Sequence, residues 1–85
     1  MESKFYRDNV LLAALGTWIM KNNLRVQRAI KNITQAELAD MIQVSRQTIN
    51  TIESGKYVPS TVLSLKMAKV FEVPVEEIFM LEEGD

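Results

Sequence analysis

The stretch from Thr34 to Gly55 constrains this chain more than any other. Thr34-Gln35-Ala36-Glu37 has the spacing of a capping box, in which the threonine accepts from a first-turn amide and the glutamate reaches back to the cap. Ser45 has the chemistry of a second cap, and Gly55 that of a helix end. These marks predict one helix over about 35–42 and another over about 46–54, joined by a corner of three or four residues. So short a link forces the two helices to cross steeply. Leu38, Ile42, Val44, Ile49 and Ile52 then point at a shared core. Ala39 falls at the contact, where a larger side chain would push the axes apart.

The flanks add more helix. Asn23 is the expected cap of a helix running to about Lys31. Pro59-Ser60 opens another, with Leu63, Met67, Val70 and Phe71 on one face, and Pro74 stops it. A short helical turn is expected over Val75 to Ile78, followed by an extended Phe79-Met80-Leu81. Helices this short are marginal alone and must pack on each other. The expectation is an all-α, compact four- to five-helix domain, with an apolar N-terminal segment and a short C-terminal tail. Residues 1–20 are read as the extension, 21–73 as the helical domain and 74–85 as the short turn and tail.

At 85 residues the chain has room for one small domain. It contains neither cysteine nor histidine. Disulfides, thiolate zinc sites, the usual general base and the usual metal ligand are all excluded together. No enzyme, no cofactor and no metal is expected, and neither is sensing by zinc or by thiol oxidation. The acidic Glu76, Glu77, Glu82, Glu83 and Asp85 are read as a solvated end, not as a carboxylate site.

The net charge of −1 conceals an asymmetry. Residues 21–72 carry eight basic residues against four acids, whereas residues 73–85 carry five acids and no base. The middle of the chain is the part suited to a polyanion. Val10 to Met20 is an apolar run of eleven residues, too short for a membrane-spanning helix of roughly 20. If helical, it places Leu11, Ala14, Leu15, Trp18 and Ile19 on one face. It is read as a packing or dimerisation helix, or as an appendage with Met20 a candidate initiator; a membrane or secretory role is the remaining reading.

TQAELADMIQVSRQTINTIESGKYVPS resembles the helix-turn-helix of the Xre/Cro family, relatives of lambdoid phage repressors, and PSTVLSLKMAKVFEVPVEEIF resembles the second half of small stand-alone regulators of that family. The likeness extends from about Leu24 to Leu81. It implies a lambda-repressor-like domain that binds double-stranded operator DNA in the cytoplasm, usually as a homodimer, and regulates transcription as a repressor. Two positions depart from the family pattern. Gln43 stands where a glycine is usual, and Gln27 where an apolar core residue is common.

With Ile49 and Ile52 inward, Arg46, Gln47, Asn50 and Thr51 must point outward. Arginine pairs with guanine O6 and N7, glutamine or asparagine with adenine, and the threonine methyl with thymine. The bland alternative is a solvated polar face; the resemblance places all four on base-contact positions. Gln35, at the amino end of its helix, matches a residue that clamps backbone phosphate in phage repressors. Ser45, Thr48, Lys56 and Tyr57 are the further phosphate candidates, with the amides of Ser54 and Gly55 offered beside them. Arg28 and Glu53 match a structural ion pair. A rival reading keeps the scaffold but makes it an antitoxin-like or other protein-interaction module.

Overall fold

The computed structural model describes residues 20–82. The expectations placed on residues 1–19 and on Glu83 and Asp85 lie outside them. Four α-helices form the body: α1 (Leu24–Lys31), α2 (Gln35–Ile42), α3 (Arg46–Glu53) and α4 (Thr61–Phe71). A three-residue 3-10 turn, Val75–Glu77, takes the place of a fifth helix. Strand β1 (Met20–Asn22) and strand β2 (Phe79–Leu81) pair antiparallel, with Met20 opposite Leu81 and Asn22 opposite Phe79.

The capping chemistry forms as the residue spacing implies. Glu37 N–H donates to Thr34 Oγ1 at 3.0 Å, and Thr34 N–H donates to Glu37 Oε1 at 2.8 Å. Ser45 and Ser60 accept from the amides of Thr48 and Leu63. Asn23 departs from expectation. It occupies the cap position of α1, but its side chain makes no cap bond, and its Oδ1 is buried without a partner. Asn22 serves instead, its Oδ1 accepting from Leu24 N–H at 3.1 Å. The other end of that side chain donates to the Ile52 carbonyl at 3.0 Å, tying β1 to the carboxyl end of α3.

All four helices end on a residue of positive φ: Asn32, Gln43, Gly55 and Glu72. In each, the next amide turns back five residues: Ile33 to Arg28, Val44 to Ala39, Lys56 to Thr51 and Val73 to Ala68. This is the Schellman arrangement, which satisfies carbonyls the helix leaves open. It also presses Ile33, Val44 and Val73 against the core. Gln43 therefore keeps the left-handed turn without glycine, at φ 64°. Helix α4 stops at Phe71 for the same reason, ahead of Pro74.

The core gathers Leu24, Leu38, Ala39, Ile42, Ile49, Ile52, Met67, Phe71, Ile78 and Phe79. Gln27 is buried with them, so the departure in α1 is accommodated inside the domain. Phe79 is core as well, while Met80 and Leu81 beside it are exposed. Among the described residues no helix is long and apolar enough to cross a membrane. No group of three or more acidic side chains among them could hold a metal ion.

A Cβ built on Gly55 meets nothing within 4 Å, so substitution there tests backbone conformation alone. Gly55→Ala is expected to cost about 1 kcal/mol. Gln43→Gly should gain about 0.5–1 kcal/mol, the left-handed strain less the extra entropy of glycine in the unfolded chain. Thermal melts check both signs, at about 4–8 °C per kcal/mol for a domain of this size. A Gln43→Gly protein that melts lower than the parent would refute the assignment of strain.

Candidate nucleic-acid interface

Helix α3 is amphipathic along its length. Ile49 and Ile52 are buried in the core shared with Leu38 and Ile42 of α2, while Arg46, Gln47 and Asn50 are exposed and Thr51 is half-buried. The Thr51 hydroxyl donates back to the Gln47 carbonyl at 2.7 Å. Its hydrogen is thereby engaged, and the γ-methyl and the accepting side of the oxygen are left for an outside contact. Ala39, 3% exposed, sits in the core between α2 and α3 and lets them approach.

Under this face lies a polar junction. Glu53 closes α3, with its side chain only 1% exposed. Arg28 Nε donates to Glu53 Oε2, and Arg28 Nη2 donates to Oε1 at 3.1 Å, a two-pronged pair. The third arm of Arg28, Nη1, donates to the Ile33 carbonyl at 3.1 Å. One guanidinium thus joins α1, the α1–α2 connection and α3. Gln35 Nε2 adds a hydrogen bond of 3.0 Å to Glu53 Oε1 and a longer one of 3.4 Å to Asn50 Oδ1. Arg25 lies at the rim, its Nε 3.6 Å from Glu53 Oε1 and its side chain 75% exposed.

Burial alone would raise the pKa of Glu53, because a desolvated carboxylate disfavours its charge. The hydrogen bonds from Arg28 and Gln35 and the charges of Arg28 and Arg25 outweigh it, and the net shift is downward. The group therefore titrates lower in the folded state than in the unfolded one. Its stabilisation is present above the unfolded value, about 4.3, and is lost as pH falls through the folded one.

The phosphate candidates flank α3. Ser45 Oγ accepts from Thr48 N–H and lies 2.9 Å from Thr48 Oγ1. One hydroxyl donates to the other, so one of the two hydrogens stays available to an anion. Lys56 and Tyr57 are exposed beyond the carboxyl end of α3. The amides of Ser54 and Gly55 are not on offer, contrary to expectation. They donate to the carbonyls of Asn50 and Ile52 at 3.1 and 3.0 Å, as closing a helix requires. Asn22 and Arg25 were not singled out by sequence, since only the packing of chain segments far apart reveals what they touch.

Two short helices crossing at a tight corner, the second with a bare polar face, define a helix-turn-helix unit. The helix-turn-helix family model matches residues 24–78. An uncharacterized HTH-type transcriptional regulator of Methanocaldococcus jannaschii is 52% identical over 66 residues, covering 78% of this chain and all of that protein. The HTH-type transcriptional activator BcrR of Enterococcus faecalis is 38% identical over 66 residues, covering 75% of this chain and 32% of that protein. Among solved structures, the restriction-modification controller protein C.AhdI of Aeromonas hydrophila superposes with a TM-score of 0.59 at 30% identity, covering 64% of this chain and 82% of that one. The chain belongs to the helix-turn-helix family, in its Xre/Cro branch, whose members are DNA-binding transcriptional regulators and not enzymes.

Removing Arg28 would leave Glu53 buried and short of its main partner. Arg28→Ala should cost about 3–5 kcal/mol. Lys31→Ala breaks only an exposed pair with Glu72 and should cost under about 1 kcal/mol. Urea unfolding of the two variants separates these outcomes, and equal losses would refute the pairing. The same titrations across pH 3–7 on Glu53→Gln isolate the carboxylate. The advantage of the parent over this variant should narrow as pH drops below about 4.3.

Proposed function

We propose that the protein binds a specific double-stranded operator as a homodimer, with α3 of each subunit in the major groove, and represses transcription by occupying the promoter. The observation that carries this is the contrast within α3: Ile49 and Ile52 anchor it in the core, while Arg46, Gln47, Asn50 and Thr51 remain outside. A rigid helix holding an arginine, two carboxamides and a methyl toward solvent has the donors, acceptors and apolar contact that base edges require.

Ser45, Thr48, Lys56, Tyr57 and the amino end of α2 at Gln35 would meet the flanking phosphates and fix the register. The basic middle of the chain supports this; the acidic tail would be turned away from the duplex by its own charge. The exposed apolar Val62 and Leu65 of α4 support pairing of two copies. Such work takes place on genomic DNA in the cytoplasm, and a bound dimer acts by excluding polymerase, with no cofactor.

Selection of bound sequences from a random duplex pool tests the proposal. The expected product is an inverted repeat with half-sites about 34–36 Å, or one helical turn, apart. Arg46→Ala should abolish the preference at one G·C pair by about 1–3 kcal/mol, and Gln47→Ala should relax a neighbouring one. The logarithm of affinity should fall with the logarithm of salt at a slope of about −0.9 per phosphate contacted. An unenriched pool, or a flat salt response, would overturn the proposal. A transcription assay on the selected site settles the sign, with activation counting against repression.

A further inference from the structure

One side chain in β1 closes the ends of two helices at once. Asn22 Oδ1 accepts from Leu24 N–H at 3.1 Å, at the start of α1. Its Nδ2 donates to the Ile52 carbonyl at 3.0 Å and, at a longer 3.4 Å, to the Glu53 carbonyl. Those two carbonyls are among the last four of α3, which the helix itself leaves open. The Ile52 carbonyl already accepts from Gly55 N–H at 3.0 Å, and Asn22 takes its second acceptor site. Asn22 is held in turn by the ribbon. It stands opposite the core residue Phe79, and the next amide, Asn23 N–H, donates to the Ile78 carbonyl at 3.0 Å.

The segment that leaves α3 leans on the same ribbon. Tyr57, Val58 and Pro59 face Met20, Asn22 and Phe79 across a crevice of about 10 Å³, space for roughly one water. The core holds this segment far less than it holds α3. Tyr57 and Val58 are 48% and 50% exposed, whereas Ile49 and Ile52 are fully buried. We infer that Asn22 is a positioning residue for the grip on the DNA backbone: it braces the carboxyl end of α3 on the β1–β2 ribbon and so sets where Lys56 and Tyr57 meet phosphate. This rests on the reading of Lys56 and Tyr57 as phosphate contacts. Both amide hydrogens of Asn22 are engaged within the protein, so it acts through that segment and not by touching the duplex.

The brace and the reading edge are separable. Arg46 and Gln47 lie in the first turn of α3, while the carbonyls that Asn22 holds belong to its last two residues. Loosening the brace therefore displaces the exit of the helix more than its base-reading turns. Phosphate contacts carry no sequence information, so the loss falls equally on every duplex. Asn22→Thr isolates the brace. It adds no charge, its branched side chain suits a strand, and its hydroxyl can still accept from Leu24 N–H, but it has no amide to reach α3.

The test measures binding of the full chain to the selected operator and to an unrelated duplex over a range of salt, at a temperature where melts show each variant folded. Asn22→Thr should weaken binding to both by roughly three- to tenfold. Its salt slope should be shallower by about 0.9–1.8, the equivalent of one or two phosphate contacts. The base preferences set by Arg46 and Gln47 should not change. In a Lys56→Ala/Tyr57→Ala background, Asn22→Thr should have no further effect. An unchanged salt slope would make Asn22 a structural residue only and overturn the inference. So would a loss confined to the operator, or a further loss in the double background. A Lys56→Ala/Tyr57→Ala protein that binds like the parent would instead overturn the reading on which the inference stands. If Asn22→Thr does not fold, Asn22→Ser, with the same hydroxyl on a smaller side chain, carries the same expectations.

Discussion

The close crossing of α2 and α3 is the constraint on which the other features depend. Ala39 is what permits it, since a side chain of ordinary size between the two helices would hold their axes apart. With the axes close, Leu38 and Ile42 of α2 share a core with Ile49 and Ile52 of α3. The opposite face of α3 is then fixed as an outward edge. The same closeness brings the first residue of α2 within hydrogen-bond reach of the last residue of α3, where Gln35 meets Glu53. A core contact and a polar contact across one pair of helices thus have a common geometric cause.

Glu53 is an unusual residue to place in the interior of so small a domain. A buried carboxylate is costly unless it is paired and hydrogen-bonded, and a buried ion pair is weak evidence of net stability. What the pair adds is specificity of arrangement. Arg28 reaches from α1 to the end of α3 and to the carbonyl of Ile33, so three segments distant in sequence must agree in position for one guanidinium to be satisfied. The junction also abuts the outward face of α3 through Gln35 and Asn50. Stability and the orientation of surface groups are therefore coupled at this point.

Much of the fold was legible wherever a local rule operates. The Thr34–Glu37 box, the Ser45 and Ser60 caps and the Gly55 end depend on residues a few positions apart, and each sits where spacing placed it. The apolar period of α3 likewise announced which side is core. Gln43 shows a local preference overridden: the Schellman bonds and the burial of Val44 hold it at positive φ despite its side chain. Asn23 shows a rule that failed. The cap chemistry was present, but Asn22, drawn to the carbonyl of Ile52, took over the start of α1. For the functional face, residue types and their periodicity were readable, whereas the hydrogen bonds of Gln35 and Thr51 were not.

The sequence by itself determined the helices, the caps of α2, α3 and α4, the tight corner and the polarity of α3, because these follow from interactions among residues close along the chain. Only the tertiary structure decided that Met20–Asn22 becomes a strand, since its partner lies some sixty residues away and three residues carry no period of their own. Only the tertiary structure likewise brought Gln35 to both Glu53 and Asn50. The physical reason is the same in both cases: a hydrogen-bond partner distant in sequence can be identified only when folding has brought it near, and the direction of a carboxamide is not defined until that partner is in place.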